Sequence, residues 1–514
     1  MESQSMDMFE ESQPVDKPYG VRHRIGLFLG PALFVLFLFI PDSVLERQAR
    51  DVAAVAVLMA VWWICESIPL AATALVPLAA FPLMKVVPAK EVAASYASPE
   101  IFLFMGGFFI AVSMQRWGLH KRIALAIVSL VGVRGDRIIL GFMVATAFLS
   151  MWISNTATTM MMLPIGLAVL ITLEESLSRD GGGASLAAFK MALMLSIAYA
   201  ANIGGIGTLI GTPPNIVFAA QVHALVPQAG EVTFTKWMMV GLPLVIVFIP
   251  VTWLILTRVG IRGAHIHFEG GREVIANERK GLGAMNPGEK RTLVIFIITV
   301  AAWITRGDIR LGHFTICGWA SVASLGKYVH DSTVAIAAAL ALFLTPVDYR
   351  RGQFVLTWKA ASRIPWGILI LFGGGIALGK GFSESHLAAR IAYAMGLLSH
   401  TPVILLVVLT AILVTFLTEI TSNTAVATIF LPVLAATATG FGVHPFVLMI
   451  PATISASCAF MLPVATPPNA IVFSSGSVTM SGMVRVGIIM NLIGVVLVTA
   501  TMYLVAMHVF GIAL

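Results

Sequence analysis

Twice in 514 residues a long apolar run is interrupted by the same polar device. SNTATTMMMLPIG begins at Ser154 and TSNTAVATIFLPV at Thr421, and each is followed downstream by TPPN, at Thr212 and at Thr466. Ser-Asn-Thr places hydroxyl and amide groups inside a stretch otherwise suited to lipid, and two consecutive prolines remove backbone donors and stop regular helix. At membrane depth such backbone is tolerated only where protein or a water-filled cavity surrounds it. Two matched sets of these breaks constitute an internal repeat of a functional unit.

The chain is 58% hydrophobic and only 11% charged, with a mean hydropathy of +0.93, against the roughly 25% charge usual for soluble domains. An all-α polytopic membrane protein follows. The net charge of +7 does not point to nucleic acid, because the basic residues sit in short connections between apolar runs. Arg22 and Arg24, then Arg116, Lys121, Arg122, Arg134 and Arg137, and later Arg350, Arg351, Lys359 and Arg363 are placed to set orientation, with a cytoplasmic N-terminus and an outside C-terminus. The first apolar run, 25–40, follows Arg22-His23-Arg24 like the start of a signal peptide, yet no small-residue cleavage site follows, so it reads as a retained span. Cys65, Cys317 and Cys458 have neither CxxC nor metal spacing and read as small packing residues in apolar surroundings.

About eleven transmembrane helices are expected, near 25–40, 52–64, 71–84, 101–115, 191–226, 238–257, 292–304, 333–345, 366–379, 446–473 and 484–512. Two further stretches, 137–173 and 403–438, carry Ser-Asn-Thr mid-way and a proline after it, the pattern of a re-entrant helical hairpin, with an ordinary kinked span as the alternative. Eleven spans divide as one leader plus two sets of five, and an odd number per set turns the second copy upside down. The divisions are 1–50 for the N-terminus and first span, 51–257 for the first repeat, 258–291 for a cytoplasmic linker and 292–514 for the inverted second repeat. Unwound spans are expected at 211–215 and 465–469. Gly106-Gly107 matches Gly373-Gly374 at an offset of 267, and Ser154 matches Ser422 at 268. Between the Ser-Asn-Thr and TPPN segments the first copy is 14 residues longer, a surplus placed in a polar insert at 174–185. Amphipathic segments at 120–131 and 386–398 read either as interfacial arms or as ordinary surface-facing helix ends.

Uncharged donors beside the free N–H groups of a helical break can hold a carboxylate. The same side-chain oxygens, with the carbonyls of Gly211 and Ala465 released before the prolines, can cage a small hard cation such as sodium. Glu419 is the one carboxylate inside these segments, and hydrogen bonding at a hairpin end is favoured over proton or cation binding because its counterpart is Met151. Neither HExxH nor GxSxG stands beside the breaks, so no catalytic residue, enzyme activity or cofactor is assigned. A passive anion channel would have no use for duplicated cation-type oxygens.

This doubled pattern resembles the divalent anion:sodium symporter family, the relatives of mammalian sodium-coupled dicarboxylate and citrate transporters, from about residue 50 onward. The resemblance implies an inverted-repeat, elevator-type homodimer in the cell (inner or plasma) membrane, whose transport domain carries both hairpins past a fixed scaffold. It implies that Asn155, Thr156, Ser422, Asn423 and Thr424, with Thr212, Thr466 and Pro467, face the substrate. One sodium site would use Ser150, Ser154, Asn155 and the Gly211 carbonyl, and the other Thr418, Thr421, Asn423 and the Ala465 carbonyl. Thr212 stands where some members have Ser, and Ser474-Ser475-Gly476 replaces an aromatic-containing stretch. The substrate implied is a di- or tricarboxylate, with succinate, fumarate or malate ahead of citrate and tartrate, and the uncharged donors are compatible with sulfate as well. Some relatives exchange dicarboxylates without sodium, but a fixed positive charge would then be expected, and neither motif contains Lys or Arg.

Overall fold

The apolar runs become helices, interrupted where the sequence carries its polar breaks. The computed structural model describes residues 19–132, 136–177, 183–259, 271–311, 314–396 and 401–512. In chain order come α1 (Val21–Leu38), α2 (Arg47–Cys65), α3 (Pro99–Arg116), the amphipathic α4 (Leu119–Val131), α5 (Asp136–Ser150), α6 (Asn155–Leu177), α7 (Gly183–Gly205), α8 (Pro213–Leu225) and α9 (Phe234–Leu254). The second half supplies α10 (Gly271–Gly281), α11 (Pro287–Ile304), α12 (Asp331–Leu344), α13 (Trp366–Glu384), α14 (Leu387–Gly396), α15 (Val403–Thr418), α16 (Asn423–Gly440), α17 (Phe446–Ser455), α18 (Pro467–Ser474) and α19 (Met480–Thr501). Among the described residues nine helices are long and apolar enough to cross a membrane, and shorter apolar helices such as Leu70–Leu83 accompany them. The expected runs 191–226 and 446–473 each divide in two, as α7 with α8 and α17 with α18. The non-helical additions are two short antiparallel ribbons, pairing Ile309–Leu311 with Phe314–Ile316 and Pro346–Asp348 with Gln353–Phe354.

The halves interlock through matched close contacts. Gly106 of α3 lies so near α12 that an added Cβ would stand 2.6 Å from the Ala335 Cβ, and Gly374 of α13 would bring one 2.6 Å from the Ala74 Cβ.

Each amphipathic helix is pinned to a residue outside its own repeat segment. Arg122 of α4 donates from Nε to Glu289 Oε1 and from Nη2 to Oε2, both at 3.1 Å. Glu289 also closes a capping box with Asn286 at the start of α11. Arg390 of α14, 268 residues after Arg122, pairs with Glu46 at the N-cap of α2 at 2.5 Å. The arm expected to end at 398 is helical to Gly396, and residues 397 and 398 lie outside the described residues.

Three expectations gain detail. The 14-residue surplus lengthens helices: α6 has 23 residues against 18 in α16, and α7 has 23 against 10 in α17. Residues 178–182 of that insert, like Arg134, lie outside the described residues. The linker 258–291 is not simply polar connection, since α10 packs on α4 and α6, while 260–270 lie outside the described residues. Cys458 is buried as a packing residue, but Cys317 is exposed just beyond the first ribbon.

Candidate functional site

Both hairpins turn where Ser-Asn-Thr begins. Helix α5 ends at Ser150 and α6 starts at Asn155, and α15 ends at Thr418 and α16 starts at Asn423, with the two arms of each hairpin in contact. At the first tip Ser150 Oγ lies 2.5 Å from Asn155 Oδ1 and 2.7 Å from the Ala201 carbonyl. At the second, Thr418 Oγ1 lies 2.6 Å from Asn423 Oδ1 and 2.9 Å from the Ala456 carbonyl. A hydroxyl donates a single proton, so in each cluster three oxygens share one hydrogen. Such a group is short of positive charge and suits a small cation.

The TPPN segments restart helices after unwound backbone. Thr212 and Thr466 are the N-caps of α8 and α18, both extended, at φ −142° and −141°. The asparagine of each segment collects the carbonyls that unwinding frees. Asn215 Nδ2 donates to the Gly205 (3.1 Å) and Thr208 (2.7 Å) carbonyls, and Asn469 Nδ2 to those of Ala459 (3.1 Å) and Leu462 (3.0 Å). Sequence reasoning had given these two asparagines no role, although their doubled position in TPPN was the available signal. Four helices, α6, α8, α16 and α18, thus begin at the four motifs, each presenting the partly positive end of its backbone dipole.

Helix α7 brings the two sets together. Its Ala201 carbonyl belongs to the first cluster, and the next residue, Asn202, donates from Nδ2 to Thr466 Oγ1 at 3.2 Å. Helix α8 packs on α16 and α17, and α6 on α18. Near the first tip, a Cβ added to Gly205 would stand 2.7 Å from Asn155 Oδ1, 3.1 Å from the Thr212 Cβ and 3.2 Å from the Gly211 carbonyl oxygen, so these three expected site residues surround one α-carbon.

The remaining expected residues are placed differently. Ser154 is exposed and its Oγ accepts from the Ala157 N–H at 3.3 Å, while Thr421 donates to the Leu417 carbonyl at 3.1 Å. Neither hydroxyl joins the serine– or threonine–asparagine pair. Thr156 and Ser422 are half-buried, Thr424 is buried, Pro467 is exposed, and Ala465 is buried directly before Thr466.

Glu419 follows Thr418 and serves the second unwound loop. Its Oε1 accepts from the Phe460 N–H (2.7 Å), the Met461 N–H (2.9 Å) and Asn491 Nδ2 (2.8 Å), and its Oε2 from the Leu462 N–H (3.0 Å). The carboxylate is structural, gathering three successive donors that lack helical partners. In the first half Met151 cannot do this, and Thr208 instead donates its hydroxyl to the Met151 carbonyl at 2.5 Å.

The profile described as the sodium:sulfate symporter transmembrane region matches residues 23–512. The chain belongs to the sodium:sulfate symporter family. This sodium:sulfate symporter homologue is a transporter and not an enzyme. A sodium-dependent dicarboxylate transporter of Staphylococcus saprophyticus is 42% identical over 508 residues, covering 98% of this chain and 95% of that protein. Its namesake in Staphylococcus aureus is 43% identical over 498 residues, covering 96% and 94%. Two solved transporter structures share the fold at 13% identity and a TM-score of 0.52. YdaH of Alcanivorax borkumensis matches 80% of this chain and 86% of its own, and MtrF of Neisseria gonorrhoeae 81% and 84%.

Proposed function

We propose that this symporter-family member couples inward sodium movement to uptake of a divalent anion, a C4-dicarboxylate such as succinate, fumarate or malate. The observation that carries this is the doubled oxygen cluster: Ser150, Asn155 and the Ala201 carbonyl at one tip, and Thr418, Asn423 and the Ala456 carbonyl at the other. Sodium at each tip would be completed by the Gly211 and Ala465 carbonyls, with Ser154 and Thr421 turning inward on loading. The names of the two staphylococcal relatives support sodium and a dicarboxylate as the cargo.

The dianion would lie against the starts of α6, α8, α16 and α18, held by Asn155, Thr156, Ser422, Asn423 and Thr424 with Thr212, Thr466 and Pro467. These groups are uncharged, so the anion's charge must be balanced by the bound cations. At about 6 Å and an effective dielectric near 20, one sodium and one carboxylate attract by roughly 3 kcal/mol, equivalent to more than a hundredfold in affinity before desolvation. Sodium therefore binds first. The loaded hairpins and broken spans would move as one body against a scaffold in an elevator step, within a homodimer in the cell membrane, the N-terminus in the cytoplasm and the C-terminus outside. Segments 51–257 and 292–514 would be the inverted repeats and 258–291 the cytoplasmic linker.

The test is a melting-temperature screen of the purified protein against succinate, fumarate, malate, citrate, tartrate and sulfate, with sodium or with choline. A C4-dicarboxylate that raises the melting temperature only in sodium is the expected result. Stabilisation that is equal in choline would contradict sodium coupling, and a response confined to sulfate or citrate would reassign the substrate.

A further inference from the structure

Helix α7 of the first half holds the second unwound loop, whereas among the described residues no hydrogen bond from the second half holds the first, whose Ile206 carbonyl accepts from Trp237 Nε1 of α9 at 2.9 Å. Asn202 is fully buried, and its Nδ2 lies 3.2 Å from the Ala459 carbonyl, 3.2 Å from Thr466 Oγ1 and 3.4 Å from Asn469 Oδ1. One turn earlier, the fully buried Tyr199 donates its hydroxyl to the Phe460 carbonyl at 2.7 Å. The repeat relation that pairs Ala201 with Ala456 pairs Tyr199 with Ile454 and Asn202 with Ser457. Isoleucine has no donor, and Ser457 Oγ has no hydrogen-bond partner among the described residues. The strut runs from the first half to the second only.

We infer that Asn202 is a positioning residue that couples the two cation sites, an assignment resting on the sodium-coupled function proposed above. It sits one peptide bond from Ala201, whose carbonyl belongs to the first oxygen cluster, and it grips Thr466, one peptide bond from the Ala465 carbonyl of the second site. A cation that draws the Ala201 carbonyl into its cage fixes the α7 turn from which Asn202 projects. That turn in turn fixes Ala459 and Thr466, so the second site is ordered before its own ion arrives. Because coupling between sites is reciprocal, occupancy of the second site tightens the first by the same factor. The grip also prepares the anion site. Thr466 Oγ1 accepts from Asn202 Nδ2 and from the Asn469 N–H, which leaves its own hydrogen to donate to a carboxylate.

The experiment is the sodium dependence of dicarboxylate uptake in proteoliposomes at saturating substrate for the intact chain, Asn202→Ala and Tyr199→Phe. Tyr199→Phe keeps the ring packed on Phe460, with centroids 5.1 Å apart, and removes only the hydroxyl. The intact chain should show a sigmoidal dependence with a Hill coefficient of about 2, and Asn202→Ala one of about 1 with half-saturating sodium raised about fivefold or more. Tyr199→Phe should fall between them. A residue that merely supported the fold would lower the melting temperature and the uptake rate while leaving the Hill coefficient where it was, and that result overturns the assignment. If Asn202→Ala does not fold, an undiminished Hill coefficient in Tyr199→Phe overturns it, and a folded but inactive variant is judged by the steepness with which sodium raises its melting temperature. An intact chain that shows a Hill coefficient of 1 also rejects the coupling. An intact chain indifferent to sodium rejects the proposed function itself.

Discussion

A single hydroxyl at each hairpin tip, Ser150 or Thr418, stands between a side-chain amide oxygen and a backbone carbonyl from another helix. Replacing either by alanine removes one cation ligand and leaves the tip otherwise able to fold. Half-saturating sodium for uptake should rise about tenfold, equivalent to about 1.4 kcal/mol, with maximal uptake approached again at high sodium. An unchanged sodium dependence in both variants would remove these hydroxyls from the cation sites. Asn155→Ala and Asn423→Ala should abolish uptake while sparing membrane expression, since each asparagine belongs to a proposed cation cluster and starts a helix proposed to face the anion. Glu419 has a different task and a different expected failure. Glu419→Ala leaves the N–H groups of residues 460–462 without their acceptor, and a buried unsatisfied group costs about 1–3 kcal/mol. The folded yield in detergent should collapse, whereas Glu419→Gln, which keeps one carbonyl oxygen, should recover part of it.

At the scale of elements, the breaks were legible and the struts were not. Hairpins and unwound spans announce themselves because Ser-Asn-Thr and TPPN each occur twice in apolar surroundings, and the same doubling could have exposed Arg122 and Arg390, exactly one repeat apart in register, as equivalent arm anchors. Tyr199 and Asn202 have no doubled counterpart, so nothing periodic marks them. The inserted residues at 174–185 are polar, yet the ends of that insert extend α6 and α7. Polarity alone does not end a helix whose backbone remains satisfied. The Ser154 and Thr421 hydroxyls illustrate another limit, since a shared motif fixes a residue's position along the chain but not which neighbouring oxygen or N–H its side chain meets. The arm anchors also differ in environment. The Arg122 and Glu289 side chains are 21% and 4% exposed, those of Arg390 and Glu46 49% and 61%. Exposed ion pairs contribute little, about 0–1 kcal/mol, while an uncompensated buried carboxylate is costly. Arg122→Ala should therefore lower the melting temperature and slow uptake, and Arg390→Ala should leave both nearly unchanged. Equal effects in the two variants would show that burial does not set the strength of the arm anchors.

For the whole molecule, the halves are joined by α3 against α12 and Gly374 of α13 against Ala74, and by the one-way strut from α7 to the second unwound loop. On the proposed function, a duplicated chain assembled in this way would set two cation-type clusters and four helix starts about one site while spending no fixed positive charge on the anion. Under that proposal cargo and coupling ions would travel together. If the loaded complex carries net positive charge inward, each elementary charge adds about 2.3 kcal/mol per 100 mV of inside-negative potential. Uptake should then accelerate when a potassium diffusion potential is imposed on the vesicles, and potential-independent uptake would mean that the loaded complex is neutral. The most direct test of the central claim is uptake of labelled succinate by proteoliposomes with an inward sodium gradient, or with choline in its place and dicarboxylate trapped inside. The predicted result is accumulation above the external concentration in sodium and none in choline, and equal uptake in choline, driven by the trapped dicarboxylate, would contradict it.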